Sequence, residues 1–294
     1  MTNEENDPSP SELSRRDFVA LTVAAGIAAA TGASAQALPV SESDIQIRTP
    51  DGSCDAALCM PASGMHAAVI LWPDAFGLRP AMRDMGKRLA GAGYVVLVPN
   101  PFYRVSKAPL PGLNAKEFSF QNKEQMAMLQ KLMGSIGAAD AAERDAAAFV
   151  TFLDAQPQVN KTRKIGTQGY CMGGPLVFRT AAAVPDRVGA GASFHGGGLV
   201  TESPTSPHML VPKMKAQLYV GVASNDDARQ PDAKDKLRAA FSAAKVPAEV
   251  EVYQSLHGWC VPDMPAEAGK PIYNEPDAER AWTKLLALYK TALA

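Results

Sequence analysis

The stretch Lys164-Ile-Gly-Thr-Gln-Gly-Tyr-Cys-Met-Gly-Gly174 constrains the fold more than any other part of the chain. A strand candidate over 164–168 runs into Gly169-Tyr170-Cys171-Met172-Gly173, and a helix candidate over 175–184 follows at once. A G-x-C-x-G segment between strand and helix is the layout of a nucleophile elbow, where a strained turn lifts one side chain above a parallel sheet. Glycine is needed on either side because the turn brings backbone segments too close for a Cβ. The helix that follows aims its N-terminus, with free N–H groups and partial positive charge, at the side chain on the turn, a setting in which a thiol can be drawn towards thiolate, its reactive form. The competing reading is a buried structural cysteine in a glycine-rich turn. Strand, turn and helix signals agree at this one place, which favours the nucleophile.

The rest of the chain supplies a sheet for such an elbow. Ile45 and Ile47, then Pro50-Asp51-Gly52, then alternation through Met60 predict a β-hairpin. Residues 67–72 and 94–98 are continuous apolar runs of strand length, as expected for strands buried on both faces. Between them Pro80 opens a helix with Met82, Met85 and Leu89 at helical spacing, closed by Gly91 and Gly93. Residues 122–155 predict two amphipathic helices broken near 134–137. Further strands are predicted at 188–194, 217–222 and 249–253, with helices at 231–244 and from about 277. Strands alternating with helices predict an α/β fold, a doubly wound, mostly parallel sheet with helices on both faces.

Composition and the N-terminus narrow the function classes. The 294 residues are 47% hydrophobic with a formal net charge of -1, enough for a full core and no footprint for nucleic acid or an anionic membrane surface. No apolar run in the body reaches the length of a membrane span. Ser14-Arg15-Arg16-Asp17-Phe18-Val19 resembles the twin-arginine export motif, followed by a modestly apolar run over 19–30 and the small-residue site Ala33-Ser34-Ala35. Residues 1–35 therefore read as a signal peptide removed after Ala35, leaving 36–294 as one domain in a bacterial periplasm. The partner this implies is the Tat export machinery. Of the four cysteines, none forms a C-x-x-C pair, and His66, His195, His208 and His257 lack zinc-ligand spacing, so no metal site is expected. Cys54 and Cys59 are open to two readings, a disulfide or two buried thiols.

Chemistry-bearing residues recur just after predicted strands, where ligands gather in such sheets. Asp74, Arg104, Cys171, Asp226 and His257 all lie there. The order nucleophile, acid, histidine at 171, 226 and 257 is the order this fold class uses for a triad. His257 would take and return the proton, and Asp226 would hold its tautomer. Asp226 is preferred to Asp227 because it sits closer to the strand end. The backbone N–H groups of Met172 and Ala75 are the candidate oxyanion hole. His195, heading His-Gly-Gly-Gly198, reads as a lining or structural residue.

With these residues in hand, the chain resembles the dienelactone hydrolase family of the α/β-hydrolase fold over roughly residues 42–292. The resemblance rests on Gly169-Tyr-Cys-Met-Gly-Gly174, Phe194-His-Gly-Gly197, the Asp226 region, His257-Gly-Trp259 and Pro73-Asp-Ala-Phe-Gly-Leu78. It implies a Cys171–Asp226–His257 triad that attacks a small-molecule ester or lactone, with no cofactor. The family's strand-end acid near the thiol is Glu, and Asp74 occupies that place, one methylene shorter. Arg104 matches one of two arginines that hold a substrate carboxylate in the family; the other place, four residues after His257, is Val261. Three functional expectations follow. The first is a carboxymethylenebutenolidase-type hydrolase; the second, a general carboxylesterase for neutral esters; the third, a non-hydrolytic binding or thiol-redox protein on the same fold.

Overall fold

A computed structural model describes residues 37–294 except 120, 139, 267 and 268. The expected signal segment lies outside the described residues. The chain is built on one eight-stranded sheet in the order β1-β2-β4-β3-β5-β6-β7-β8. Strands β1 (Val40–Thr49) and β2 (Gly52–Pro61) form the predicted hairpin around Pro50-Asp51, and β2 also pairs antiparallel with β4 (Tyr94–Pro99). From β4 onward every pairing is parallel: β3 (Ala67–Trp72), β5 (Ile165–Tyr170), β6 (Val188–Phe194), β7 (Gln217–Val222) and β8 (Ala248–Val252).

Strand periodicity explains the two layers around it. In β3, Ala68, Ile70 and Trp72 join one core, while Ala67, Val69 and Leu71 join the other. The first core is closed by α3 (Ala141–Asp154), α4 (Gly173–Ala183) and α6 (Ala233–Ala244), through Phe149, Val177 and Phe241. The second is closed by α1 (Pro80–Gly91) and α7 (Glu275–Ala292), through Met82, Leu89, Ala281 and Leu285. Because β3, β4 and β5 are covered on both sides, all their residues are buried and their sequences lack a polar face. Cys54 and Cys59 fall in opposite cores, five positions apart on β2, and both thiols are free. Opposite faces of one strand cannot be bridged, so the disulfide reading is set aside.

Chain direction now fixes where a ligand would sit. After β3 the chain crosses to β4 on one side, then returns to β5 on the other side of β3. That reversal is a topological switch point, and the crevice lies outside the carboxyl ends of β3 and β5. The pair of helices expected over 122–155 is present as α2 (Lys123–Ile136) and α3; Asn122 caps α2 by accepting the Glu124 and Gln125 N–H groups. One difference from the sequence reading bears on the site. The segment after β7, expected as a loop, is a short helix, α5 (Ser224–Arg229), which carries Asp226 and Asp227 in its first turn. Two carboxylates beside free N–H groups suit a helix start.

Candidate active site

The elbow forms as its sequence requires. β5 extends to Tyr170, Cys171 takes a left-handed φ of 53°, and α4 begins at Gly173. A Cβ on Gly169 would fall inside the Gly173 carbonyl, and one on Gly173 would lie 2.5 Å from the Trp72 carbonyl oxygen. Larger residues would push the turn off the sheet. The Cys171 N–H is shared between the Phe194 carbonyl and His195 Nδ1, each at 3.1 Å. The Met172 and Ala75 N–H groups find no acceptor among the described residues, which leaves both available as donors.

His257 follows β8 in a segment pinned by Trp259, which is buried and stacked on Tyr253 at 4.6 Å. Gly258, at φ 104°, makes the turn between them. The His257 N–H donates to Asn225 Oδ1 at 2.8 Å, and its Nδ1 meets Asp226 Oδ2 at 2.6 Å. Asp227 turns away to Lys234 Nζ at 2.6 Å. The adjacent pair is thereby separated: Asp226 faces the imidazole. Burial works to lower the His257 pKa, but hydrogen bonding to Asp226 and the neighbouring Cys171 sulfur outweigh it and hold the ring's pKa up at about 10. The structure therefore brings together Cys171, His257 and Asp226 as one array, with His257 Nδ1 committed to Asp226 and Nε2 left to face the thiol.

Two expected site residues have other partners. Asp74 is buried at the end of β3, and its Oδ1 accepts the Phe76 N–H at 2.9 Å. Arg79 grips the same carboxylate with both Nη atoms, at 2.6 and 2.9 Å, while donating to Asp263 through Nε and Nη2. Its charge persists against burial because Asp74 and Asp263 flank it. An auxiliary acid acting on the thiol was expected at Asp74; here the carboxylate is one arm of a carboxylate–guanidinium–carboxylate clamp. Arg104 differs more. Rather than facing a substrate carboxylate, its guanidinium binds Asp145 at 2.8 and 2.9 Å and Asp51 at 2.6 Å, with Asp145 also accepting from Tyr103. A guanidinium with two carboxylates already in its fork is a structural tie between the β1–β2 turn and α3.

Sequence reasoning missed Arg79, Asp263 and Asn225. A charged Arg immediately before the α1 proline, between stretches that bury almost completely, was the one available signal for Arg79. Asp263 and Asn225 lie in loops and carried none. A cavity of about 940 Å³ lies between α1 and α7 and is not lined by Cys171 or His257. Arg79 and Asp263 stand at its edge, but its floor residues Gln168, Phe194 and Leu285 are almost wholly covered.

An elbow, an open pair of backbone donors and a Cys–His–Asp array at the switch point define a hydrolase of the α/β-hydrolase fold. Residues 54–293 match the Dienelactone hydrolase family, and the chain belongs to it. It is 26% identical over 236 residues to a putative carboxymethylenebutenolidase of Synechocystis sp., covering 79% of this chain and 89% of that one. It is 28% identical over 244 residues to the carboxymethylenebutenolidase of Rhodococcus opacus, covering 80% and 88%. Among solved structures, the one named m3DLH superposes with a TM-score of 0.71 at 23% identity, over 87% of this chain and 99% of that one. Among the described residues no helix is long and apolar enough to cross a membrane.

Proposed function

We propose that the protein hydrolyses small carboxylic esters or lactones through a thioester on Cys171. The observation that carries this reading is the His257 imidazole, held between Asp226 Oδ2 at 2.6 Å and the Cys171 sulfur at the head of α4. The thiolate attacks the carbonyl carbon and the oxyanion is met by the Met172 and Ala75 N–H groups. The C–O bond breaks and His257 Nε2 gives its proton to the leaving oxygen, which in a lactone stays tethered to the acyl group. Neutral His257 then takes a proton from water, the hydroxide adds to the thioester, and the C–S bond breaks to return thiolate and imidazolium. Asp226 stays ionised throughout and holds the tautomer.

Neutral esters suit this site better than carboxylate-bearing ones. Arg104 is engaged by Asp51 and Asp145, and the family's second arginine position is Val261, fully buried. The test is a panel of activated esters and lactones, neutral and charged, assayed with the parent and Cys171→Ala. Turnover should fall by at least about 10³-fold in the variant, as removal of a nucleophile does elsewhere. Undiminished hydrolysis by Cys171→Ala would overturn the mechanism. The twin-arginine segment at 1–35 supports export, and we place the working enzyme in a bacterial periplasm with the Tat machinery as its route. Replacing Arg15 and Arg16 by Lys should leave the product in the cytoplasm; unchanged export would refute that route.

A further inference from the structure

One buried histidine in contact with the site has no role in the mechanism above. His195 is fully covered, directly follows β6, and takes a left-handed φ of 42°, a conformation uncommon for a residue with a Cβ. Its own N–H donates to the Gly221 carbonyl at 2.8 Å, which fixes the backbone between β6 and β7. Its Nδ1 accepts the Cys171 N–H at 3.1 Å, so Nδ1 carries the lone pair and Nε2 the proton. Nε2 finds no hydrogen-bond partner among the described residues. The ring instead meets aromatic neighbours: His257 at 5.0 Å and Trp259 at 5.0 Å, both edge to face, and Tyr170 at 6.0 Å. The titratable groups around it are thus Cys171, His257 with Asp226 behind it, and Tyr170. None of them offers His195 a carboxylate.

We propose that His195 is a positioning residue for the hydrolytic reaction, a single neutral imidazole that holds the nucleophile's backbone N–H at Nδ1 and braces the base, His257, with its ring. The proposal rests on the triad reading above and adds to it. Two facts about the surroundings make the arrangement consistent. Burial, and then the charge on His257, keep His195 well below the usual histidine range, so it stays an acceptor while His257 is an imidazolium. A charged ring at that place would repel His257 and lose the lone pair that Cys171 uses. The strained turns at Cys171 and His195, with φ of 53° and 42°, are tied to each other by this bond, so the nucleophile and the end of the neighbouring strand move as one body.

The experiment compares two amides of similar chemistry. In His195→Asn the amide oxygen falls near the place of Nδ1 and can accept the Cys171 N–H; in His195→Gln it is displaced towards the place of Nε2. Three quantities are measured in the full-length enzyme: thermal unfolding, kcat and KM on a neutral activated ester, and the rate of Cys171 alkylation by iodoacetamide between pH 5 and 9. Asn tolerates a left-handed backbone better than Gln, so a difference in melting temperature is expected in any case and decides nothing. The decisive readouts are the kcat and the pH dependence of alkylation. Asn should retain the parent's alkylation profile and lose only a few-fold in kcat, whereas Gln should displace the profile and lose about tenfold or more in kcat with KM within about twofold, the pattern of a misplaced reacting group. Equal behaviour of the two variants, in either direction, or a Gln profile identical to the parent's, overturns the proposal. If the Gln variant does not fold, His195→Met serves as the acceptor-free member of the pair. Alkylation reads Cys171 without turnover, so failure of this proposal is distinguishable from failure of the hydrolytic mechanism, which Cys171→Ala tests.

Discussion

Replacing Asp226 by Asn removes a negative charge from the place that holds His257. The ring's pKa is about 10 against an ordinary 6.5, which corresponds to roughly 5 kcal/mol favouring the imidazolium, at 1.36 kcal/mol per pH unit. That is an upper bound because the His257 side chain is 24% exposed and solvent screens part of it. Asp226 and the Cys171 sulfur share the effect, with the Asp226 hydrogen bond the foremost of the raising influences. Removing the carboxylate should bring the ring down by roughly 2 pH units, and kcat should fall by about 10²- to 10⁴-fold, since Asn does not enforce the tautomer. Two assays read this. In the pH profile of kcat for a neutral ester, the alkaline limb should move from near pH 10 towards about pH 8. In urea unfolding, the raised folded-state pKa of His257 contributes stability fully below pH 6.5, and this is lost as pH rises through about 10. The variant should therefore be less stable than the parent at pH 6 and little different above pH 10. An alkaline limb that stays in place, with kcat within a few-fold of the parent, would refute the assignment of Asp226 and the account of the imidazole.

Arg79→Met should lower stability by about 3–5 kcal/mol in urea unfolding, because it strands the buried Asp74 carboxylate and leaves Asp263 unpaired; the double variant Arg79→Met/Asp74→Asn should recover part of that loss, and a single-variant loss under about 1 kcal/mol would show that solvent reaches the clamp. Arg104→Ala should destabilise the fold by leaving the Asp145 carboxylate uncompensated, while lowering kcat/KM for charged and neutral esters by the same factor. Selective loss on carboxylate-bearing esters would return Arg104 to the substrate.

The parts of the fold that were legible in the sequence are those whose signal is local. The limits of β3, β6 and α1 were visible because an apolar run, a run of small residues closed by Phe194, and the pair Pro80 and Gly91 mark them directly. The elbow was visible because close backbone approach demands Gly169 and Gly173 around Cys171. The α5 helix was not, since Ser224–Arg229 has no apolar face and no buried residue to create a period. Partner choice was the harder problem. Arg104 read as a substrate ligand because it matches an arginine of the family the chain resembles; nothing in the local sequence says that Asp145, on α3, would arrive at 2.8 Å. His195 read as lining or structural because its His-Gly-Gly-Gly follows the elbow rather than preceding it as an oxyanion loop would, and only the fold shows its Nδ1 on Cys171. Pairings across 24 to 184 positions, such as His195–Cys171 and Arg79–Asp263, are set by topology and leave no periodicity to read.

Asp74 and Asp226 show what that topology does to identical side chains. Both follow the carboxyl ends of parallel strands, Asp74 after β3 and Asp226 after β7. Asp74 meets a guanidinium in bidentate geometry, and one of its oxygens also accepts the Phe76 N–H. Its charge is neutralised in place, and moving it towards the thiol would strip a buried Arg79 of one of its two carboxylates. Asp226 meets no buried guanidinium: Arg229 approaches its Oδ1 only at 3.3 Å from a largely exposed position, and Oδ2 is left to His257. A weak surface contact of that kind does not compete with a charge-assisted bond of 2.6 Å to the imidazole. Asp226 is accordingly free to hold the His257 imidazole beside Cys171, whereas Asp74 is held by Arg79.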